Sequence, residues 1–105
     1  MVSNSIQEKI KLTVHSLLPD ARVLLFGSMA RGNANEDSDY DVLVIVNTPL
    51  ALKEKHNLRG KLNKLLVYAL DAPVDVFLNS EEEVKKKCLI FGHIIESAVA
   101  EGIEL

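Results

Sequence analysis

Asp39 and Asp41 stand one residue apart at the head of the apolar run Val42-Leu43-Val44-Ile45-Val46. In a strand, a period of two turns both carboxylates to one face and Tyr40 to the other. Two carboxylates about 5–6 Å apart repel by roughly 3 kcal/mol even at an effective dielectric near 20, so a site that keeps them together needs a cation to offset the cost. Oxygen donors without His or Cys select a hard ion, Mg²⁺ or Mn²⁺. Asp75 adds a carboxylate inside a second apolar stretch, Val74 to Leu78, where a charge is costly unless it is paired or bound to metal. If the two strands are neighbours, three carboxylates converge. Upstream, Gly27-Ser28 directly follows the apolar run Val23-Leu24-Leu25-Phe26. Backbone N–H groups at such a strand-to-helix turn can face an anion, and glycine lets a phosphate come close. Each part alone has a plainer explanation: Gly-Ser pairs mostly just turn the chain, Asp39 can cap a turn, Asp41 can be a solvated strand end, and Asp75 can face outward from a half-exposed strand.

The elements that must position these residues can be read from periodicity. Ser5 and Glu8 form an S-x-x-E capping signature, followed by Ile6, Ile10, Val14, Leu17 and Leu18 at helical spacing up to Pro19, which predicts a helix over 5–18. Residues 23–26 predict a short strand buried on both faces, and Gly27-Ser28 a helical turn followed by a polar loop to Ser38. The β-branched run after Asp41 predicts a central strand. Pro49 suits a helical first turn, and Leu58, Leu62, Leu65, Leu66 and Ala69 mark the buried stripe of the helix that follows. Tyr68 is expected to cover a core edge. Residues 74–78 predict a third strand, and Ser80 an N-cap for a last helix with Glu81, Glu82 and Glu83 each four residues before Lys85, Lys86 and Lys87. That last helix is expected to bury Val84, Cys88, Phe91, Ile95 and Ala98 and to stop at Gly102, with 103–105 as a short terminal strand. The alternation of helices and strands indicates an α/β chain.

Together the site residues read G-S-x₁₀-D-x-D over 27–41, with Arg31-Gly32 after the Gly-Ser pair and an Asp in the next strand. This composite resembles the signature of the nucleotidyltransferase superfamily typified by DNA polymerase beta, and in length the chain is similar to minimal nucleotidyltransferase, or MNT-type, proteins. The resemblance covers nearly the whole sequence. It implies a nucleotidyltransferase fold of α/β (α+β) class, a small mixed β-sheet with flanking helices. It further implies that Gly27 and Ser28 hold the phosphates of a nucleoside triphosphate, and that Asp39, Asp41 and Asp75 bind two Mg²⁺ ions. Asp75 would also help deprotonate the attacking hydroxyl. Two metal ions can clamp both the attacking and the leaving oxygens of such an in-line displacement. Arg31 meets phosphate charge or, as the preferred alternative, pairs with Asp37 or Asp39 to hold the loop.

The chain has 105 residues, 48% of them hydrophobic and 26% charged, enough for a single domain spanning 1–105. Twelve basic against 15 acidic residues, a net charge of −3, lack the basic footprint of a general nucleic-acid binder. One cysteine, Cys88, excludes an internal disulfide and is expected to be core. His15, His56 and His93 have no ligand spacing and are expected as partly exposed helix residues. Neither a signal peptide nor a membrane span is legible, so the cytoplasm is the expected location. Larger transferases of this type carry an acceptor domain, for which this length leaves no room. MNT-type proteins pair with small helical HEPN toxins and add AMP to a toxin tyrosine. The resemblance therefore implies an ATP- and Mg²⁺-dependent adenylyltransferase acting as antitoxin on a HEPN-type partner, in a homo- or hetero-oligomer left open. Two other readings stand beside it: a binding module that neutralises its partner by contact, and a transferase acting on a small molecule such as an aminoglycoside.

Overall fold

The computed structural model describes residues 4–27, 40–90 and 93–105. Four strands form one mixed sheet: β1 (Arg22–Phe26), β2 (Tyr40–Val46), β3 (Val74–Ser80) and β4 (Ile103–Glu104), in the order β3-β2-β1-β4. β1 runs antiparallel to both β2 and β4, whereas β2 and β3 are parallel. The parallel pair requires a crossover, supplied by the helix between them. Among the described residues the helices are α1 (Asn4–Leu17), α2 (Leu52–Leu70), α3 (Glu81–Cys88) and α4 (Ile94–Glu101).

The central strands read as continuous apolar runs because both faces of the sheet are covered. On the far face, Val23, Leu25, Tyr40, Val42, Val44, Val74, Val76 and Leu78 pack under Ile10 and Val14 of α1 and Leu62 and Leu66 of α2. On the near face, Leu24, Phe26, Leu43 and Ile45 pack against Val84, Ile95 and Ala98 of α3 and α4. Tyr40 thus lies buried opposite the face that carries Asp41, as the period of two predicts. Arg22 ties the near side together: its guanidinium donates to Glu104 of β4 at 2.8 Å and to Glu81 of α3 at 3.1 Å. These two carboxylates hold the Arg22 pKa above its ordinary value.

Several expectations need correction. α1 starts at Asn4, so Ser5 lies within its first turn and does not cap it. α2 starts after Ala51, which keeps extended backbone angles at the N-cap, so Pro49 precedes the helix. Within α2, Leu65 and Tyr68 are exposed, Tyr68 at 89%, because the helix centres its buried stripe on Leu62 and Leu66. The expected last helix is two. Ser80 and Glu83 do form a reciprocal capping box for α3, but Leu89 closes it, and His93 opens α4 as an N-cap by accepting from the Ile95 N–H at 3.0 Å. Of the expected stripe, Val84, Ile95 and Ala98 are buried, Cys88 is partly buried against them, and Phe91 lies outside the described residues. Gly102 ends α4, and β4 pairs with β1 as Leu24↔Glu104 and Leu25↔Ile103. Among the described residues no helix is long and apolar enough to cross a membrane.

Candidate functional site

β2 and β3 pair in a register that sets Asp41 directly beside Asp75. Register partners in a ladder share a face, so the two carboxylates stand abreast on the near face, at the N-terminal ends of both strands. β1 approaches from the other side, where Phe26 is the antiparallel partner of Asp41. Next along the chain is Gly27, with φ of +80°. A β-carbon added there would be driven into Asp41 Oδ2 and would stand 3.1 Å from Asp41 Cγ. Glycine is required twice, for the backbone angle and for the space that the Asp41 carboxylate fills. The turn, the first carboxylate of the pair and the second therefore follow one another across three strands.

Beneath them lies an aromatic floor. Phe26 and Phe77 sit on the same face, with ring centroids 5.4 Å apart and planes tilted by 55°. Phe26 is 5% exposed and Phe77 partly buried, so the side of the carboxylates toward the sheet centre is apolar. Asp75 itself is exposed. A carboxylate pair set beside apolar rings, with its Asp75 member exposed to solvent, has the chemistry to take up a cation.

Of the residues predicted from sequence, the structure brings together Gly27, Asp41 and Asp75. Ser28, Arg31 and Asp39, with Asp37 as the alternative partner of Arg31, lie outside the described residues. Among the described residues no group of three His, Cys, Asp or Glu side chains converges. Asp41 and Asp75 alone are a pair of oxygen donors, a set that fits a hard divalent cation and lacks the imidazole or thiolate that zinc prefers.

One feature was not legible in the sequence. From Asp75 a groove of about 580 Å³ runs along β3, with α2 as one wall and α3 and the start of α4 as the other. Lys55, His56 and Arg59 of α2 line it, with Lys87 and His93 facing them. In the sequence these residues are water-facing helix positions or isolated histidines, and their separation along the chain carries no spacing signal. Lys55 donates to Glu83 at 2.7 Å across the far end, and Lys87 to the buried Asn79 side chain. Burial pushes the Glu83 pKa up, but the Lys55 and Ser80 N–H hydrogen bonds outweigh it and hold the carboxyl below its ordinary value.

The arrangement agrees with what this chain is similar to. The sequence profile of the nucleotidyltransferase domain family matches residues 7–104. A protein of Methanocaldococcus jannaschii, provisionally named a protein adenylyltransferase, is 44% identical over 53 residues, which are 49% of this chain and 54% of that protein. The matched stretch thus spans about half the length of this curated relative. A solved structure provisionally described as a minimal nucleotidyltransferase aligns with 100% of this chain and 97% of its own, at 25% identity and a TM-score of 0.61. The fold also matches a complex of the tri-AMPylated HEPN toxin of Shewanella oneidensis with its MNT antitoxin, at 21% identity and a TM-score of 0.62, over 95% of this chain and 68% of the other. With the profile match over nearly its whole length, the mixed sheet and the carboxylates abreast at its edge, the chain belongs to the nucleotidyltransferase domain family.

Proposed function

We propose that this protein transfers AMP from ATP to a hydroxyl of a partner protein, a helical toxin of the HEPN class, and acts as its antitoxin. The observation that carries the reading is the Asp41–Asp75 register, with Gly27 packed against Asp41. The provisional adenylyltransferase name of the Methanocaldococcus jannaschii relative and the AMPylated toxin of the Shewanella oneidensis complex support the choice of group and acceptor.

In this reading the turn at Gly27 and Ser28 holds the β- and γ-phosphates through backbone N–H groups, and Arg31 secures the loop or the phosphate charge. Asp39, Asp41 and Asp75 would hold two Mg²⁺ ions, or Mn²⁺, and such ions would supply charge neutralisation at the phosphates and a lowered pKa for the attacking hydroxyl. The acceptor oxygen attacks the α-phosphorus. The bond from that phosphorus to the oxygen bridging to the β-phosphate breaks, pyrophosphate leaves, and the hydroxyl proton passes to the Asp75 carboxylate. Asp75 suits this role because it is the exposed member of the pair, reachable by a protein side chain.

The test is to incubate the protein with its HEPN partner, Mg²⁺ and ATP labelled in the α-phosphate, beside the Asp39→Asn/Asp41→Asn double variant. Label on the partner from wild type alone supports the reading. No label from wild type, with toxicity still suppressed by the double variant, overturns it in favour of a module that works by contact. Label on an aminoglycoside with none on the partner points to the small-molecule reading.

A further inference from the structure

β3 is the edge of the sheet among the described residues, and its outer side carries unused backbone groups. The carbonyl of Pro73 accepts from the Tyr40 N–H on the β2 side, at 3.1 Å, so the next carbonyl points outward. Accordingly Val74 O accepts from Asn63 Nδ2 of α2, at 2.6 Å. By the same alternation the N–H and C=O groups of Val76 and Leu78 also point outward, and both residues line the groove although their side chains are buried under α2. The floor of the groove is therefore a strand edge. Its stretch from Asp75 to Asn79 is about 13 Å long, the span of four or five extended residues.

The walls set basic side chains among apolar ones, Leu52 of α2 and Ile94 of α4. Arg59 has no ion-pair partner among the described residues, His56 stands one turn before it, and Lys87 and His93 face them from the opposite wall. Glu83, at the far end, is paired with Lys55 at 2.7 Å and with Lys87 at 3.9 Å, and Lys87 also donates to Asn79, which leaves Arg59 as the unpaired cation among the described groove residues.

Direction matters as much as charge. An in-line displacement needs the attacking hydroxyl opposite the leaving pyrophosphate. With the phosphate turn beside β1 and the carboxylates on β2 and β3, the hydroxyl must arrive from the β3 side. The groove opens there, at Asp75.

We infer that the groove along β3 docks the acceptor: an extended segment of the partner protein adds to the free edge of β3, its acidic side chains meet Arg59, and its hydroxyl-bearing side chain reaches Asp75. This rests on the transferase reading for the role of the docked segment. The docking itself is measurable without nucleotide. Main-chain pairing supplies the affinity in such strand addition, and the flanking charges supply the specificity.

The probe is a fluorescein-labelled peptide of about ten residues with one tyrosine between paired glutamates, followed by anisotropy in the absence of ATP. It is compared with a lysine-for-glutamate counterpart and with an acidic version N-methylated at alternate backbone nitrogens. The acidic peptide should bind about tenfold or more tighter than the lysine peptide, and Arg59→Glu should erase that preference. N-methylation should abolish binding, since it removes the donors of the added strand. Equal binding of the acidic and lysine peptides, indifference to Arg59→Glu, or competitive displacement of the peptide by ATP without metal would each overturn the inference. With the HEPN partner as acceptor, Arg59→Glu should raise the KM for the partner and leave the KM for ATP unchanged; an unchanged KM for the partner overturns the docking assignment. A peptide that binds as expected but takes no label with ATP and Mg²⁺ supports the docking and counts against the transfer reaction alone.

Discussion

Gly27 and Asp41 occupy one volume between them, and this makes the glycine the most sensitive position of the site. Alanine at 27 would have to hold φ near +80°, a region that costs a side chain about 1–2 kcal/mol, and its methyl would push the Asp41 carboxylate aside. A displacement on the order of 1 Å at a reacting group lowers rates about 100-fold. Gly27→Ala is therefore expected to lower AMP transfer by about that factor while lowering Tm by only a few degrees; full activity would show that Asp41 is not held by this contact. Asp75→Asn is nearly isosteric and exposed, so it should fold normally. In the proposed reaction it would remove the proton acceptor and leave Gly27 untouched, so transfer should fall by about 10²–10⁴-fold with ATP binding largely kept, read by label transfer beside equilibrium dialysis. Unchanged transfer would move the third carboxylate to another residue. The type and spacing of Gly27, Asp41 and Asp75 are legible in the sequence because the chemistry demands them. That Asp41 and Asp75 are register partners is not, since strand pairing is a long-range property.

At the scale of elements, the strands and the N-cap at Ser80 are legible, because apolar runs and local side-chain hydrogen bonds are short-range signals, whereas the reciprocal Glu83 half of the capping box is not part of that reading. The break between α3 and α4 was misread. The buried Val84, Ile95 and Ala98 and the partly buried Cys88 fit one continuous helical stripe, which Gly92 alone interrupts in the sequence. The His93 side chain caps α4 by a contact two residues away, a role rarer for His than for Ser, Thr, Asp or Asn. The capping box at α3 allows a direct measurement. Ser80 is fully buried and accepts from the Glu83 N–H at 3.1 Å, while Glu83 Oε1 accepts from the Ser80 N–H at 3.0 Å. Ser80→Ala should cost about 1 kcal/mol and lower Tm by roughly 4–6 °C. The pH dependence follows from Glu83, whose folded pKa is depressed below its ordinary value despite burial. A depressed carboxylate contributes stability above its unfolded pKa and loses it as pH falls through the folded one. Wild type should thus lose stability below the ordinary carboxylate range more steeply than Glu83→Gln, measured as denaturation midpoints across acid pH; parallel curves would show that the Lys55–Glu83 pair adds nothing.

The described residues form one sheet between two separate apolar layers, and the near layer is the one beside the carboxylates. The far layer joins α1 and α2 to the sheet through Leu62 and Leu66, on the side opposite the carboxylates. The near layer ends in the Phe26–Phe77 pair directly beside Asp41 and Asp75. Stability and activity should therefore separate by face. Leu66→Ala removes a fully buried side chain from the far layer and should cost about 2–5 kcal/mol, with the rate per folded molecule unchanged. Phe26→Leu keeps the near layer apolar and gives up the ring pair and some volume, a cost of about 1–2 kcal/mol. It also removes the ring that stands beside Asp41 across the β1–β2 pair, so its rate per folded molecule should fall although its stability loss is the smaller. Rates normalised to the folded fraction from denaturation curves at the same temperature decide the matter. If both variants lose activity only in proportion to stability, the rings are ordinary core and the carboxylates are positioned by the strands alone.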